Sequence, residues 1–218
     1  MELKGKKIAF LGDSITEGAG VTDKSNIFWE ILGRQTGAQV YGYGIGGTRI
    51  ARQHKPSACE RWDLDFISRV DTMIDDADIV VVFGGTNDFG HGDAPFGVMS
   101  DRTNDTFCGA LHVLYQKLCQ RYPSAQIVVM TPTHRSSEDE IGLNEQGVRR
   151  AGKLADYVEA IRQVAEVYSI PVLDLFRVSG IQPKIPAQKE LFMPDGLHPN
   201  DAGHERIAQK LLGFLNTL

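Results

Sequence analysis

Three stretches of this chain are apolar without interruption: Ile8-Ala9-Phe10-Leu11, Ile79-Val80-Val81-Val82-Phe83 and Ile127-Val128-Val129-Met130. A strand that is apolar at every position has both faces covered, which is the situation inside a parallel sheet flanked by helices. With Gln39–Tyr43 and Pro171–Leu175, and taking the first run as Lys7–Leu11 and the fourth as Gln126–Met130, there are five strand candidates.

Segments of helical period lie between them. Leu111, Leu114, Tyr115 and Leu118 form one stripe; Leu154, Val158, Ile161, Ala165 and Tyr168 form a second; Ile207, Leu211, Phe214, Leu215 and Leu218 form a third. Shorter helices are expected over Ile27–Arg34 and Asp65–Ile74. Strand and helix alternating along the whole length predict an α/β fold: a three-layer α/β/α sandwich around a five-stranded, doubly wound parallel sheet. Three long non-periodic segments, Thr86–Thr103, Thr131–Gln146 and Arg177–Pro199, each follow a strand's carboxyl end, the edge where open α/β sheets carry their sites.

A length of 218 residues suits one domain, 1–218, and lets the chain bury roughly 70% of its unfolded surface without a disulfide or metal staple. The net charge of -5 and the scattered Lys and Arg leave no basic footprint for nucleic acid or an anionic membrane. The three cysteines, Cys59, Cys108 and Cys119, form no C-x-x-C pair and read as reduced, mostly buried thiols. The N-terminus runs straight into a strand with no signal-peptide pattern, and no apolar run approaches 18 residues, so a cytoplasmic chain off the membrane is expected. Oligomeric state is left open.

The first strand ends in Gly12-Asp13-Ser14, where a serine would stand at a strand-to-helix turn within the field of a helix N-terminus. Gly-Asp-Ser is equally an ordinary turn and helix cap. Near the other end, Asp195-Gly196-Leu197-His198 can set a carboxylate beside an imidazole, the pair a nucleophilic serine requires, although a plain turn before the last helix would use the same residues. Two glycine turns, Gly44-Ile45-Gly46-Gly47-Thr48 and Gly84-Gly85-Thr86-Asn87-Asp88, could bring backbone N–H groups and an Asn side chain close to an oxyanion, or serve only as tight connections. No G-x-G-x-x-G joins the first strand to its helix, and no Walker loop is present.

Taken together, the four segments resemble the SGNH (GDSL-type) hydrolase family, over residues 12 to 198. The resemblance implies a flavodoxin-like sheet and a serine ester hydrolase working without metal or organic cofactor on a small-molecule ester. It implies Ser14 as nucleophile and first oxyanion donor, Gly47 (with Gly46 the alternative) and Asn87 as further donors, His198 as general base and acid, and Asp195 as its orienting carboxylate. The turn after Gly47 reads Thr48-Arg49 where the family often has an acidic residue. Asp13, Arg49, Phe89, His91 and His134 lie around the expected site and are candidates for substrate contact. Phe89-Gly90-His91-Gly92-Asp93 has the glycines a mobile lid would use. The other histidines lack ligand spacing.

The absence of extended apolar loop segments favours a polar, short-acyl ester such as an acetylated carbohydrate. A thioesterase or acyltransferase would use the same triad. A catalytically silent carbohydrate-binding protein and a nucleotide- or FMN-binding flavodoxin-like protein are the readings of other classes.

Overall fold

The computed structural model describes residues 2–144, 147–148 and 151–218. The end of the loop expected at Thr131–Gln146, and Met1, lie outside the described residues. The five strands are β1 (Lys7–Gly12), β2 (Gln39–Gly44), β3 (Ile79–Phe83), β4 (Gln126–Met130) and β5 (Val172–Leu173). They form one sheet in the order β2-β1-β3-β4-β5, every pair parallel. Ile8 pairs with Val40 on one side and Ile79 on the other, so β1 lies between β2 and β3.

The helices are α1 (Ser14–Glu17), α2 (Phe28–Thr36), α3 (Phe66–Arg69), α4 (Thr86–His91), α5 (Phe107–Arg121), α6 (Leu154–Val167), α7 (Leu175–Val178), α8 (Pro186–Phe192) and α9 (Asp201–Leu215). Side chains alternate between the faces of a strand, which is why each apolar run feeds two cores. Ala9, Leu11, Val80, Val82, Ile127 and Val129 pack beneath α3, α5 and α6. Ile8, Phe10, Ile79, Val81, Phe83, Val128 and Met130 pack beneath α2 and α9, with Leu175 of α7 and Phe192 of α8. These are the three layers.

Departures from the expected elements have local causes. β5 is only two residues long because Asp174 turns the chain into α7, its side chain accepting from the Arg177 N–H at 3.2 Å. The loop expected from Thr86 begins instead as α4, a helix with one large apolar residue, held by burial rather than by periodicity. The segment expected to run from Arg177 to Pro199 without structure contains α8, whose first residue is Pro186. Cys108 is buried and Cys119 half-buried on α5, but Cys59 is exposed, so the thiols are not mostly buried; all three are free. Among the described residues no helix is long and apolar enough to cross a membrane.

Candidate active site

Chain connections leave β1 towards β2 on one side and the sheet continues to β3 on the other, so a crevice opens at the carboxyl ends of β1 and β3. Ser14 follows β1 and Asn87 follows β3, so both stand at this crevice. The β1 end is tight: a Cβ on Gly12 would lie 2.0 Å from Thr16 Oγ1 and 2.9 Å from the Phe83 carbonyl, so α1 packs on the strand only with glycine there. Asp13 caps α1, its Oδ1 accepting from the Ile15 N–H at 3.0 Å.

Ser14 Oγ lies 3.0 Å from His198 Nε2, although 184 residues separate them. His198 Nδ1 lies 2.7 Å from Asp195 Oδ2. The other carboxylate oxygen, Oδ1, accepts from the N–H groups of Leu197 (2.8 Å) and His198 (2.7 Å), so one side chain shapes the turn and holds the ring. Gly196 completes the turn at φ 81°. A carboxylate can only accept, so Nδ1 carries the imidazole proton and Nε2 offers its lone pair to the serine. Burial pushes the Asp195 carboxyl up, but the two N–H groups and the imidazole outweigh it and hold the acid below its ordinary range.

The glycine turn after β2 separates its two candidate donors. The Gly46 N–H donates to Glu17 Oε2 at 2.6 Å, and Glu17 Oε1 accepts from Arg61 at 2.5 Å. The Gly47 N–H has no such partner among the described residues. Gly47 sits at φ 75°, and a Cβ there would fall 2.4 Å from the Trp62 indole, so the ring lies directly on this peptide. Asn87 is buried, and its Nδ2 donates one hydrogen to the Thr48 carbonyl at 3.0 Å, which orients the amide and leaves a second hydrogen.

Two residues without an assigned role hold these turns together. Asp88 receives the N–H groups of Ile50 (3.0 Å) and Ala51 (2.9 Å), tying the segment after β2 to α4. Burial raises its carboxyl to about 6 despite those donors. Arg69 donates to the carbonyls of Tyr43 (2.6 Å), Gly12 (3.1 Å) and Leu64 (3.1 Å) and to Thr48 Oγ1 (3.0 Å), filling acceptors left where β1 and β2 end. Its burial brings it down to about 10. No local pattern announces either role, because the bonding partners come from elsewhere in the chain.

The cavity over the serine has a volume of about 320 Å³. Ser14, Gly46, Gly47, Asn87 and His198 line it, together with Trp62, His91, Arg135 and Leu197. Of the expected contact residues, only His91 lines it. Asp13 is buried in its capping role, and burial raises its carboxyl to about 6. Phe89 is wholly buried on the inner face of α4 and meets Tyr157 edge-on at 5.7 Å, so it is a core residue. Arg49 is buried behind His91 and bound to Asp63, Ser57 and the Trp62 carbonyl. His134 points elsewhere, bonded to Glu138 at 2.7 Å and packed against Phe176 with ring centroids 3.9 Å apart, and lines a separate pocket with Arg177 and Gln182. Its neighbour Arg135 reaches the cavity instead. Trp62 and Arg135 had no signal in the sequence. Among the described residues no three His, Cys, Asp or Glu side chains are grouped as metal ligands would be.

A serine in reach of an imidazole backed by a carboxylate, at the switch point of a doubly wound sheet, has the arrangement of a serine hydrolase. The chain belongs to the GDSL-like lipase/acylhydrolase family, whose model matches residues 10–206, and is a serine esterase of that kind. It is 29% identical to a GDSL lipase of Mycobacterium tuberculosis, over 96% of this chain and 81% of the relative. A solved crystal structure from Lactobacillus plantarum matches at 33% identity and TM-score 0.82, covering 98% of both chains. The lipase/acylhydrolase from Enterococcus faecalis shares the fold at TM-score 0.67 and 20% identity, over 97% of this chain and 96% of that one.

Proposed function

We propose that the protein hydrolyses short-acyl carboxylic esters of polar alcohols, such as O-acetylated carbohydrates, through an acyl-enzyme on Ser14. The observation that carries this reading is the 3.0 Å approach of Ser14 Oγ to His198 Nε2 in the lining of a cavity bordered by Gly47 and Asn87. His198 takes the hydroxyl proton as Oγ attacks the ester carbonyl, and Asp195 stabilises the imidazolium that forms. The oxyanion is received by the N–H groups of Ser14 and Gly47 and by the second Nδ2 hydrogen of Asn87. His198 then protonates the departing alcohol. A water, deprotonated by the same ring, attacks the acyl-enzyme and releases the acid and Ser14.

The substrate class is supported by the walls. A cavity of about 320 Å³ is at the small end of ligand pockets, and His91, Arg135 and Asn87 bring polar groups to it. Trp62, partly exposed, adds one flat apolar surface. It is the small volume that argues against a long acyl chain. The test is kcat/KM for acetyl against decanoyl esters of one alcohol. A preference for acetyl is expected, and a clear preference for decanoyl would overturn the substrate class while leaving the chemistry intact.

A further inference from the structure

Asn87 and His91 are four residues apart on α4, which places them on one helix face about 6 Å apart at Cβ. Both line the cavity. His91 Nδ1 lies 2.8 Å from Nη1 of Arg49, a residue that does not line the cavity. A guanidinium has donors only, so Nδ1 must supply a lone pair to that contact. A neutral imidazole has one N–H and one lone pair, so the proton is on Nε2, the nitrogen that Arg49 does not engage.

Arg49 is not free to turn away. Its Nη2 donates to Asp63 Oδ1 (2.8 Å), Ser57 Oγ (2.9 Å) and the Trp62 carbonyl (3.1 Å), and only 2% of the residue is exposed. Asp63 is itself fixed, its Oδ2 accepting from the Ser57 N–H at 2.9 Å. The Trp62 ring packs beside the imidazole, tilted by 51° with centroids 5.7 Å apart.

We propose that His91 is a specificity-determining residue, an imidazole that donates its Nε2–H to an acceptor oxygen on the alcohol side of the substrate, with Arg49 as the positioning residue that sets its tautomer. This rests on the esterase reading above and specifies how that site selects a polar alcohol. One helical turn from Asn87, the donor is within reach of a hydroxyl or ring oxygen a few bonds from the scissile carbonyl. An alkyl ester would cover Nε2–H without accepting from it, and a donor buried without a partner is penalised. Burial, followed by the charges of Arg49 and Arg135, depresses the imidazole to about 4, which agrees with a neutral ring near pH 7.

Two measurements test this. In ¹⁵N NMR of histidine-labelled protein at pH 7, the His91 signals, assigned by their loss in His91→Phe, are expected at the shifts of the neutral Nε2–H tautomer. An imidazolium or an Nδ1–H tautomer would overturn the proposal. The second is the ratio of kcat/KM for a mono-O-acetyl methyl xyloside to that for cyclohexyl acetate. Wild type is expected to favour the glycoside ester. His91→Phe and His91→Leu, if folded by circular dichroism, should lower that ratio about 10- to 100-fold, and His91→Gln, which keeps a donor, should restore part of it. A wild-type preference that survives removal of the donor overturns the role of His91 alone. A wild type without the preference overturns the polar-alcohol reading, and this role with it.

Discussion

At the residue scale, the proposed reaction depends on which nitrogen of His198 holds a proton. Asp195 Oδ2, 2.7 Å from Nδ1, decides this, because the carboxylate accepts and cannot donate. Asp195→Asn keeps the shape and the Oδ1 contacts to the Leu197 and His198 N–H groups, but it offers an NH₂ to Nδ1 and favours the wrong tautomer. Its kcat is expected to fall by about 10⁴-fold with folding unchanged; a loss under tenfold in steady-state assays would mean that the ring is oriented by something else. Asn87→Ala removes one side-chain donor and should lower kcat by about 10²–10³-fold with KM little changed. An equal rise in KM at constant kcat would instead make Asn87 a ground-state binder.

At the element scale, the turn after β2 matters as a unit, because Glu17 of α1 takes up the Gly46 N–H and leaves that of Gly47 beside the cavity. Gly47→Ala would force a side chain into φ 75° and against Trp62, whereas a Cβ on Gly46 would lie 2.8 Å from the end of the Glu17 side chain and in ordinary contact, 3.7 Å, with the Ser14 Cβ. The expected result is a kcat at least tenfold lower for Gly47→Ala than for Gly46→Ala; the reverse order would move the donor to Gly46. The elements differ in how well the sequence announces them. β1, β3 and β4 are legible because both faces of each strand are buried, and α5, α6 and α9 because each presents an apolar stripe. α4 was hidden because Asn, Asp and Gly fill it and only tertiary contacts, such as Asp88 to Ile50 and Ala51, hold it. Ser14, Asn87, Asp195 and His198 could be singled out because each sits in a short motif. Trp62 and Arg135 could not, since they reach the cavity along loops whose course depends on contacts distant in sequence. Asp13, Phe89 and His134 were near in sequence but turn away, Phe89 because a helix places adjacent residues on different faces.

At the scale of the whole molecule, acidic groups buried beneath the site link stability to pH. The Asp13 carboxyl, raised by burial to about 6 from an ordinary value of 3.8, keeps its proton in the folded chain where the unfolded chain has lost it. Between about pH 4 and 6 the folded state binds more protons, so this group's contribution to stability falls as pH rises and is fully unfavourable above that window. Asp13→Asn removes the charge and keeps Oδ1 as acceptor for the Ile15 N–H. Denaturant unfolding should show the variant gaining on wild type from pH 4 to pH 7, by about 1–3 kcal/mol at pH 7. A difference that does not change with pH would show that the aspartate is not a net burden when ionised.

The same folding that joins residue 14 to residue 198 is the basis of the proposed chemistry, and it can be probed covalently. A fluorophosphonate reacts with a serine only when an adjacent base activates it. Treated protein, digested and mapped by mass spectrometry, is expected to carry a single adduct on Ser14, with labelling and ester hydrolysis both lost in Ser14→Ala. An adduct on another residue, or hydrolysis that persists in Ser14→Ala, would contradict the assignment of Ser14 as the nucleophile.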